Sequence, residues 1–232
     1  FKVEVIATTE GALDPLNHHA TLAADGWGAR VRTTYRPDAV TDPDAPGFRA
    51  DMARLAELTG CDTARWEGMI EAHRRRRAHF RAHGATATDH GHPTPLTADL
   101  PLNECQRLLT AALAGTLTPP EAEAFRAQML TEMAGLSAED GMVMQIHAGS
   151  RRSTDAAMFA ARGANMGADI PTRADWVGGL HALLNRYGHA PKLRLIAFTL
   201  DESAYARELA PMAGYWPALT IGPPWWFHDS PA

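Results

Sequence analysis

Short apolar runs alternate with longer amphipathic stretches along this chain. The apolar runs are rich in β-branched residues and predict six strands, namely Lys2–Thr9, Arg30–Tyr35, Ala85–Thr88, Met142–His147, Leu193–Leu200 and Ala218–Ile221. Several of these runs are continuously apolar, which is typical of parallel strands that are covered on both faces. The pattern therefore predicts an α/β fold with a parallel sheet.

The amphipathic stretches between the strands predict four long helices. Proline near the start and glycine just past the end mark their boundaries. The predicted helices are Asp51–Thr59, Thr63–His83, Glu121–Leu136 and Arg173–Tyr187. Repeated strand–helix units with right-handed crossovers give either an open doubly wound sheet or a (β/α)₈ barrel.

Two observations favour the barrel. No Gly-x-Gly-x-x-Gly motif follows the first strand, so the dinucleotide-binding version of the open sheet loses its main support. Polar residues also come directly after successive strands, where barrel enzymes place their chemistry; these are Thr8-Thr9, Arg36, Asp89-His90, His147 and Trp225-Trp226. Six strands are two fewer than closure needs, and both ends of the sequence look cut through a larger fold. We therefore expect residues 1–232 to form a single partial barrel domain.

Composition and charge narrow the function classes. The chain has 22 Lys and Arg against 27 Asp and Glu, a formal net charge of −5, and 45% of its residues are hydrophobic. This balance excludes a disordered chain and argues against a nucleic-acid-binding module, which would carry a basic surface. No apolar run approaches the roughly 20 residues of a membrane span. Two cysteines are too few for a disulfide framework and indicate a reducing compartment, so we expect a cytoplasmic protein.

Three clusters of basic residues could suggest ligand sites. Arg74–Arg77 occupies four consecutive helical positions that point in different directions, so we interpret it as a solvated helix face. The adjacent His18-His19 pair is a poor chelate on a helix, and we assign it a structural or surface role. His90 and His92 have a spacing that can put two imidazoles on one side of a strand end. Two loop histidines beside a glycine are the equally weighted alternative.

More specific hypotheses about substrate binding concern single residues at strand ends. His147 closes an apolar strand five residues before Arg152, which suits an anionic, hydroxyl-rich substrate; a buried core histidine is the alternative. Arg36 offers a planar fork that matches a carboxylate, or it forms a rim ion pair with Asp38 or another carboxylate. Of Trp225 and Trp226, which would face opposite sides of a strand, one could form a flat wall for a sugar ring.

Taken together, these residues resemble those of the uronate isomerases, the glucuronate isomerase branch of the amidohydrolase superfamily. The resemblance follows the whole chain in order. Its most specific segments are Trp225–Phe227 and His147–Arg152. The other segments that carry it are Gln145–Gly149, Phe198–Glu202, Tyr205–Pro211, Gly222–Asp229, Ala7–Thr9, Asp14–Leu16 with His18-His19, Tyr35–Asp38 and Ala82–Gly84 with Asp89-His90.

The resemblance implies an incomplete (β/α)₈ TIM barrel of the amidohydrolase type, with about six of its eight strands in this chain. It implies interconversion of D-glucuronate with D-fructuronate and of D-galacturonate with D-tagaturonate. His147 and Arg152 would be catalytic, and the substrate would contact Arg36, His90, Trp225 and Trp226. The resemblance also implies that the intact family member binds a divalent metal ion, zinc. Its usual ligands, a His-x-His at the first strand and an aspartate at the last, are absent from this chain, so no metal ligand is assigned.

Other expectations concern partners and competing functions. A small hexuronate and further copies of the chain in a homo-oligomer are the expected partners, without nucleic acid or membrane. The alternatives are a metal-dependent hydrolase on the same scaffold and a catalytically incomplete fragment that binds sugar acids. Two departures from the family pattern, the insertion within Glu10–Pro15 and Ser153 after Arg152, bear on local substrate contacts. We expect residues 1–232 alone to lack activity.

Overall fold

A six-stranded parallel sheet organises the chain. The computed structural model describes residues 2–164 and 166–224. In chain order the strands of this sheet are β1 (Ile6–Gly11), β2 (Val31–Arg36), β3 (Ala87–His90), β4 (Val143–His147), β7 (Leu195–Phe198) and β8 (Leu219–Gly222). They lie side by side in that same order, so every strand neighbours the one before it. All six predicted strands are confirmed, with ends that differ by a few residues.

A short hairpin interrupts the series after β4. Its strands are β5 (Ser150–Arg151) and β6 (Ile170–Pro171), which pair antiparallel and form a separate two-stranded sheet. The sequence did not predict this hairpin, because two-residue strands are too short to show a period. Within the described part of the chain, β1 and β8 lie at opposite edges of the large sheet.

Helices connect the strands on one side. They are α1 (Asn17–Ala24), α2 (Asp38–Thr41), α3 (Phe48–Thr59), α4 (Trp66–Ala82), α5 (Leu102–Ala114), α6 (Pro119–Asp140), α7 (Ala156–Arg162), α8 (Trp176–Gly179), α9 (His181–Tyr187), α10 (Glu202–Ala204) and α11 (Ala210–Tyr215), with a π-helical turn at Tyr205–Leu209. The predicted helices are confirmed, except that the last is divided into α8 and α9. None of the helices described is both long and apolar enough to cross a membrane.

The two faces of the sheet differ in burial. Side chains on one face are fully buried against the helices; they include Tyr35, Thr88, Met144, Ile146, Leu195 and Ala197. Tyr35, for example, packs its ring edge-on against Phe80 of α4 with centroids 4.9 Å apart. We call this the helix-packed face. The alternate positions form what we call the open face, and most of its side chains are only partly buried, including Arg36, Gln145, His147, Ile196 and Phe198.

The arginine run Arg74–Arg77 corrects a prediction. Its first two side chains are exposed, as expected of a solvated face, but Arg76 and Arg77 are only 7% and 1% exposed. Arg76 donates from Nε to the carbonyl of Ala12 at 2.7 Å, and Arg77 forms a two-bond ion pair with Asp140. The prediction was wrong for this half of the run because successive helical residues are 100° apart, which turns two of four toward the core.

Candidate active site

Three polar side chains meet at the carboxyl ends of adjacent strands. Arg36 ends β2, Asp89 is the third residue of β3, and His147 ends β4. The register pairs Asp89 with Gln145, and His147 lies two positions beyond Gln145, so both side chains point to the open face. Parallel pairing thus brings together residues that are more than 50 positions apart in the chain.

Asp89 is the centre of this cluster. Its Oδ1 accepts a hydrogen bond from His147 Nδ1 at 2.5 Å, and its Oδ2 lies 3.4 Å from Arg36 Nη2. An ionised carboxylate only accepts hydrogen bonds, so the imidazole donates from Nδ1. In the neutral ring the acceptor lone pair then belongs to Nε2. The arrangement therefore fixes the tautomer of His147 and points the Nδ1 edge of its ring at Asp89.

A second carboxylate, Asp38, orients Arg36 from the other side. Arg36 Nε donates to Asp38 Oδ2 at 3.0 Å, and the Gly91 N–H donates to the same oxygen at 3.0 Å. Burial raises the pKa of Asp38, against the opposing effect of Arg36. The rim ion pair that the sequence left open for Arg36 is thus present. The Arg36 side chain is still 36% exposed, so solvent reaches it.

His90 lies on the opposite side of the sheet from His147. Because it follows Asp89 directly on β3, its side chain enters the helix-packed face. The ring is fully buried and its Nε2 shares a hydrogen bond with Thr88 Oγ1 at 3.0 Å. Burial holds the pKa of His90 well below its ordinary range, which keeps the imidazole neutral. The structure does not bring His90 into the cluster around Asp89, and its expected contact with the substrate stays a prediction.

The other histidine pairs do not assemble a metal site. His92 bonds Thr41 Oγ1 at 3.1 Å, with its ring 6.3 Å from that of His90. His18 is exposed, whereas His19 shares a hydrogen bond with Thr8. Both positions agree with the structural or surface role expected of this pair. In residues 2–164 and 166–224, no group of three or more His, Cys, Asp or Glu side chains could hold a metal ion. These residues on their own therefore do not fit the metal that the family resemblance implies.

Arg152 follows strand β5 in the hairpin. Its Nη1 donates to Asp169 Oδ2 at 2.9 Å, and the Arg152 side chain is 44% exposed. Although burial acts to raise the pKa of Asp169, the Ser153 N–H and the Arg152 guanidinium lower it overall. The carboxylate therefore stays ionised and ties Arg152 to the hairpin. Trp225 and Trp226, the two aromatic candidates, lie outside the described residues.

Two members of the site were missed by sequence reasoning. Asp89 was noted only as a polar residue after a strand and as part of a family segment, and Phe198 only as part of a predicted strand and of a family segment. Phe198 ends β7 and stacks on the His147 ring, with centroids 4.3 Å apart and planes 15° apart. The signal that could have found both was strand parity, because each residue shares its face with His147 once the strands are aligned.

Comparison with known proteins identifies the family. A family model described as glucuronate isomerase matches residues 1–232. The uronate isomerase of Xanthomonas oryzae pv. oryzae is 55% identical over 231 residues, which are 100% of this chain and 49% of that protein.

Two crystal structures share the fold. The glucuronate isomerase from Caulobacter crescentus has a TM-score of 0.93 and 51% identity, covering 98% of this chain and 48% of that one. The uronate isomerase from Thermotoga maritima has a TM-score of 0.91 and 29% identity, covering 99% of this chain and 51% of that one. The chain spans about half the length of the curated relatives it matches. By the match over its whole length, this chain belongs to the glucuronate isomerase family.

Proposed function

We propose that the complete gene product interconverts aldo- and keto-hexuronates, D-glucuronate with D-fructuronate and D-galacturonate with D-tagaturonate. The observation that carries this proposal is the Arg36–Asp89–His147 cluster at the carboxyl ends of three adjacent parallel strands. It combines a guanidinium for an anionic group with an oriented imidazole for proton transfer. Family membership selects the hexuronates as the substrates on which such a cluster acts.

The architecture proposed for the whole protein is a (β/α)₈ barrel of the amidohydrolase type. Six strands in sequential order support this proposal, because they would be six consecutive strands of such a barrel. Barrel enzymes place their chemistry at the carboxyl ends of the strands. Residues 1–232 would form one partial barrel domain. The divalent metal expected of the intact protein, zinc, would need ligands from outside the set that the described residues bring together.

Arg36 is proposed to bind the uronate carboxylate. A guanidinium has five N–H donors in a rigid plane, and only two of its nitrogens contact Asp38 and Asp89. A partly exposed face thus remains for a carboxylate ligand. Asp38 and Asp89 also hold the Arg36 guanidinium in one orientation, which reduces the conformational entropy lost when the substrate binds. Arg152, at the exposed hairpin, is proposed to stabilise negative charge that develops on the substrate oxygens.

His147 is proposed to exchange a proton with the substrate at Nε2. Conversion of an aldose to a ketose moves hydrogen from C2 to C1 through an enediol, so proton acceptors and donors must lie beside the O1–C1–C2–O2 edge. Asp89 keeps the Nδ1 hydrogen on the far side of the ring and stabilises the imidazolium that forms when Nε2 takes a proton. Trp225 and Trp226 are proposed to form an aromatic wall against the sugar ring. The complete enzyme is proposed to be cytoplasmic and homo-oligomeric.

The experiment that tests this function follows the complete gene product with D-glucuronate and D-galacturonate in deuterated water by NMR. Ketose formation, with deuterium entering at C1 or C2 when the proton exchanges with solvent, is the expected result. D-glucose, which lacks the carboxylate, serves as the matched negative substrate. No turnover of either uronate by correctly folded protein would overturn the proposal.

Lysine substitutions test the two arginines. Arg36→Lys and Arg152→Lys keep the positive charge but lose the planar fork, so each should lower kcat/KM at least ~10-fold, about 1.4 kcal/mol of transition-state stabilisation. Steady-state kinetics on D-glucuronate measure the effect. Arg186→Lys is the control, because Arg186 forms an exposed ion pair with Asp99 at 2.7 Å. Wild-type kinetics for Arg36→Lys would show that Arg36 forms only an ion pair at the rim and does not bind the substrate.

A further inference from the structure

The stack of Phe198 on His147 continues the site across two more strands. His147 and Phe198 are register partners on β4 and β7, and their rings lie nearly parallel at 4.3 Å. The next register pair joins Phe198 to Gly222 on β8. Contacts therefore run from Arg36 through Asp89 and His147 to Phe198 and Gly222, across five neighbouring strands.

Gly222 creates the space that the Phe198 ring occupies. A Cβ atom at position 222 would lie 2.4 Å from Cδ1 and 2.5 Å from Cε1 of that ring. Gly222 is not among the glycines with positive φ, so backbone conformation does not require glycine here. What requires it is the close approach of the ring, which a side chain would push off the surface of β8.

The Asp89 hydrogen bond alone does not define the plane of the His147 ring. It fixes Nδ1, but the ring can still rock about that contact, and the χ2 torsion of histidine is broad. A flat aromatic surface against one side of the imidazole removes this freedom. Stacked ring pairs attract each other beyond the burial of their area, so the stack favours the ring orientation in which the two faces meet.

We propose that Phe198 is a positioning residue that holds the His147 ring in plane, so that Nε2 points at the substrate, and that Gly222 is glycine to allow this stack. The inference rests on the proposed function of His147. Phe198 acts through the imidazole and does not itself exchange protons or contact the reacting atoms.

Two substitutions disturb the same stack from opposite sides. Phe198→Leu removes the flat surface, and Gly222→Ala displaces the ring that provides it. Each should lower kcat for D-glucuronate by about 10- to 100-fold, because small errors in the position of a catalytic group are costly, and each should change KM less than about 3-fold. Phe198→Tyr, which keeps the aromatic face, should restore most of kcat. Gly214→Ala and Phe159→Leu are matched controls: a Cβ at Gly214 meets nothing within 4 Å, and Phe159 is 51% exposed.

A readout independent of activity separates this inference from the proposed function. In ring-labelled histidine NMR of the complete gene product, the His147 signals are assigned by their loss in His147→Gln. Both Phe198→Leu and Gly222→Ala should shift these signals by removing the ring current of Phe198, and Phe198→Tyr should not. Unchanged His147 signals, or wild-type kcat in both variants, would overturn the inference. Turnover by His147→Gln at the wild-type rate would instead overturn the catalytic assignment of His147.

Discussion

Replacement of Asp89 by asparagine should lower kcat/KM for D-glucuronate by about 100- to 1,000-fold, with most of the loss in kcat. The residue Asp89 is only 6% exposed, and its carboxylate accepts a hydrogen bond from His147 Nδ1 at 2.5 Å. An amide can turn its NH₂ group toward Nδ1, which would force the ring hydrogen onto Nε2, the position proposed to accept the substrate proton. Loss of the negative charge at position 89 would also remove the electrostatic stabilisation of the imidazolium form of His147. Steady-state kinetics on the complete gene product measure the effect.

The matched control is Asp99→Asn, the same chemical change in an exposed ion pair with Arg186. Because exposed pairs contribute about 0–1 kcal/mol, this variant should keep both its fold and its kinetics. Circular dichroism and the melting temperature of Asp89→Asn verify that it folds. A correctly folded Asp89→Asn protein with wild-type kcat/KM would contradict the role of the Asp89–His147 pair.

The parallel sheet was predictable because its strands are short apolar runs that alternate with helical sequence. The face that each strand-end residue occupies was not. The sequence ended the third strand at Thr88, whereas β3 extends to His90, so Asp89 and His90 both belong to the strand and point to opposite faces. Strand side chains alternate with a period of two, so the face of a residue is defined only once the residue is placed within a strand. His90 was selected from its spacing to His92 and from the family resemblance, and neither of these indicates a face.

Arg36 and His147 were predictable for a different reason. Each is the last residue of its strand, at an end where parallel-sheet enzymes concentrate their chemistry. The partners that define their roles are distant in sequence: Asp89 is 58 residues from His147, and Asp169 is 17 residues from Arg152. No local period marks such pairs, so they emerge only when the strands and the hairpin are assembled.

The buried half of the arginine run supplies the largest expected effect on stability. Arg77 is 1% exposed in its side chain and donates from Nε and Nη2 to both oxygens of Asp140, at 2.7 and 2.9 Å. Nη2 also donates to Ser137 Oγ at 2.9 Å. These bonds join α4 to the end of α6, and Asp140 in turn accepts from the Met142 N–H directly before β4. One side chain thereby connects two helices and a strand.

Arg77→Met should lower the free energy of unfolding by about 3 kcal/mol, because it leaves Asp140 without its cation in a poorly solvated position. Urea unfolding of the complete gene product measures the change. Arg75→Met is the control from the same helix: Arg75 is 54% exposed and pairs with Glu71, so less than about 1 kcal/mol is expected. Adding Asp140→Asn to Arg77→Met should recover part of the loss, since the uncompensated charge is then gone. Equal stabilities of the Arg77 and Arg75 variants would show that the ion pair with Asp140 contributes no more than a solvated one.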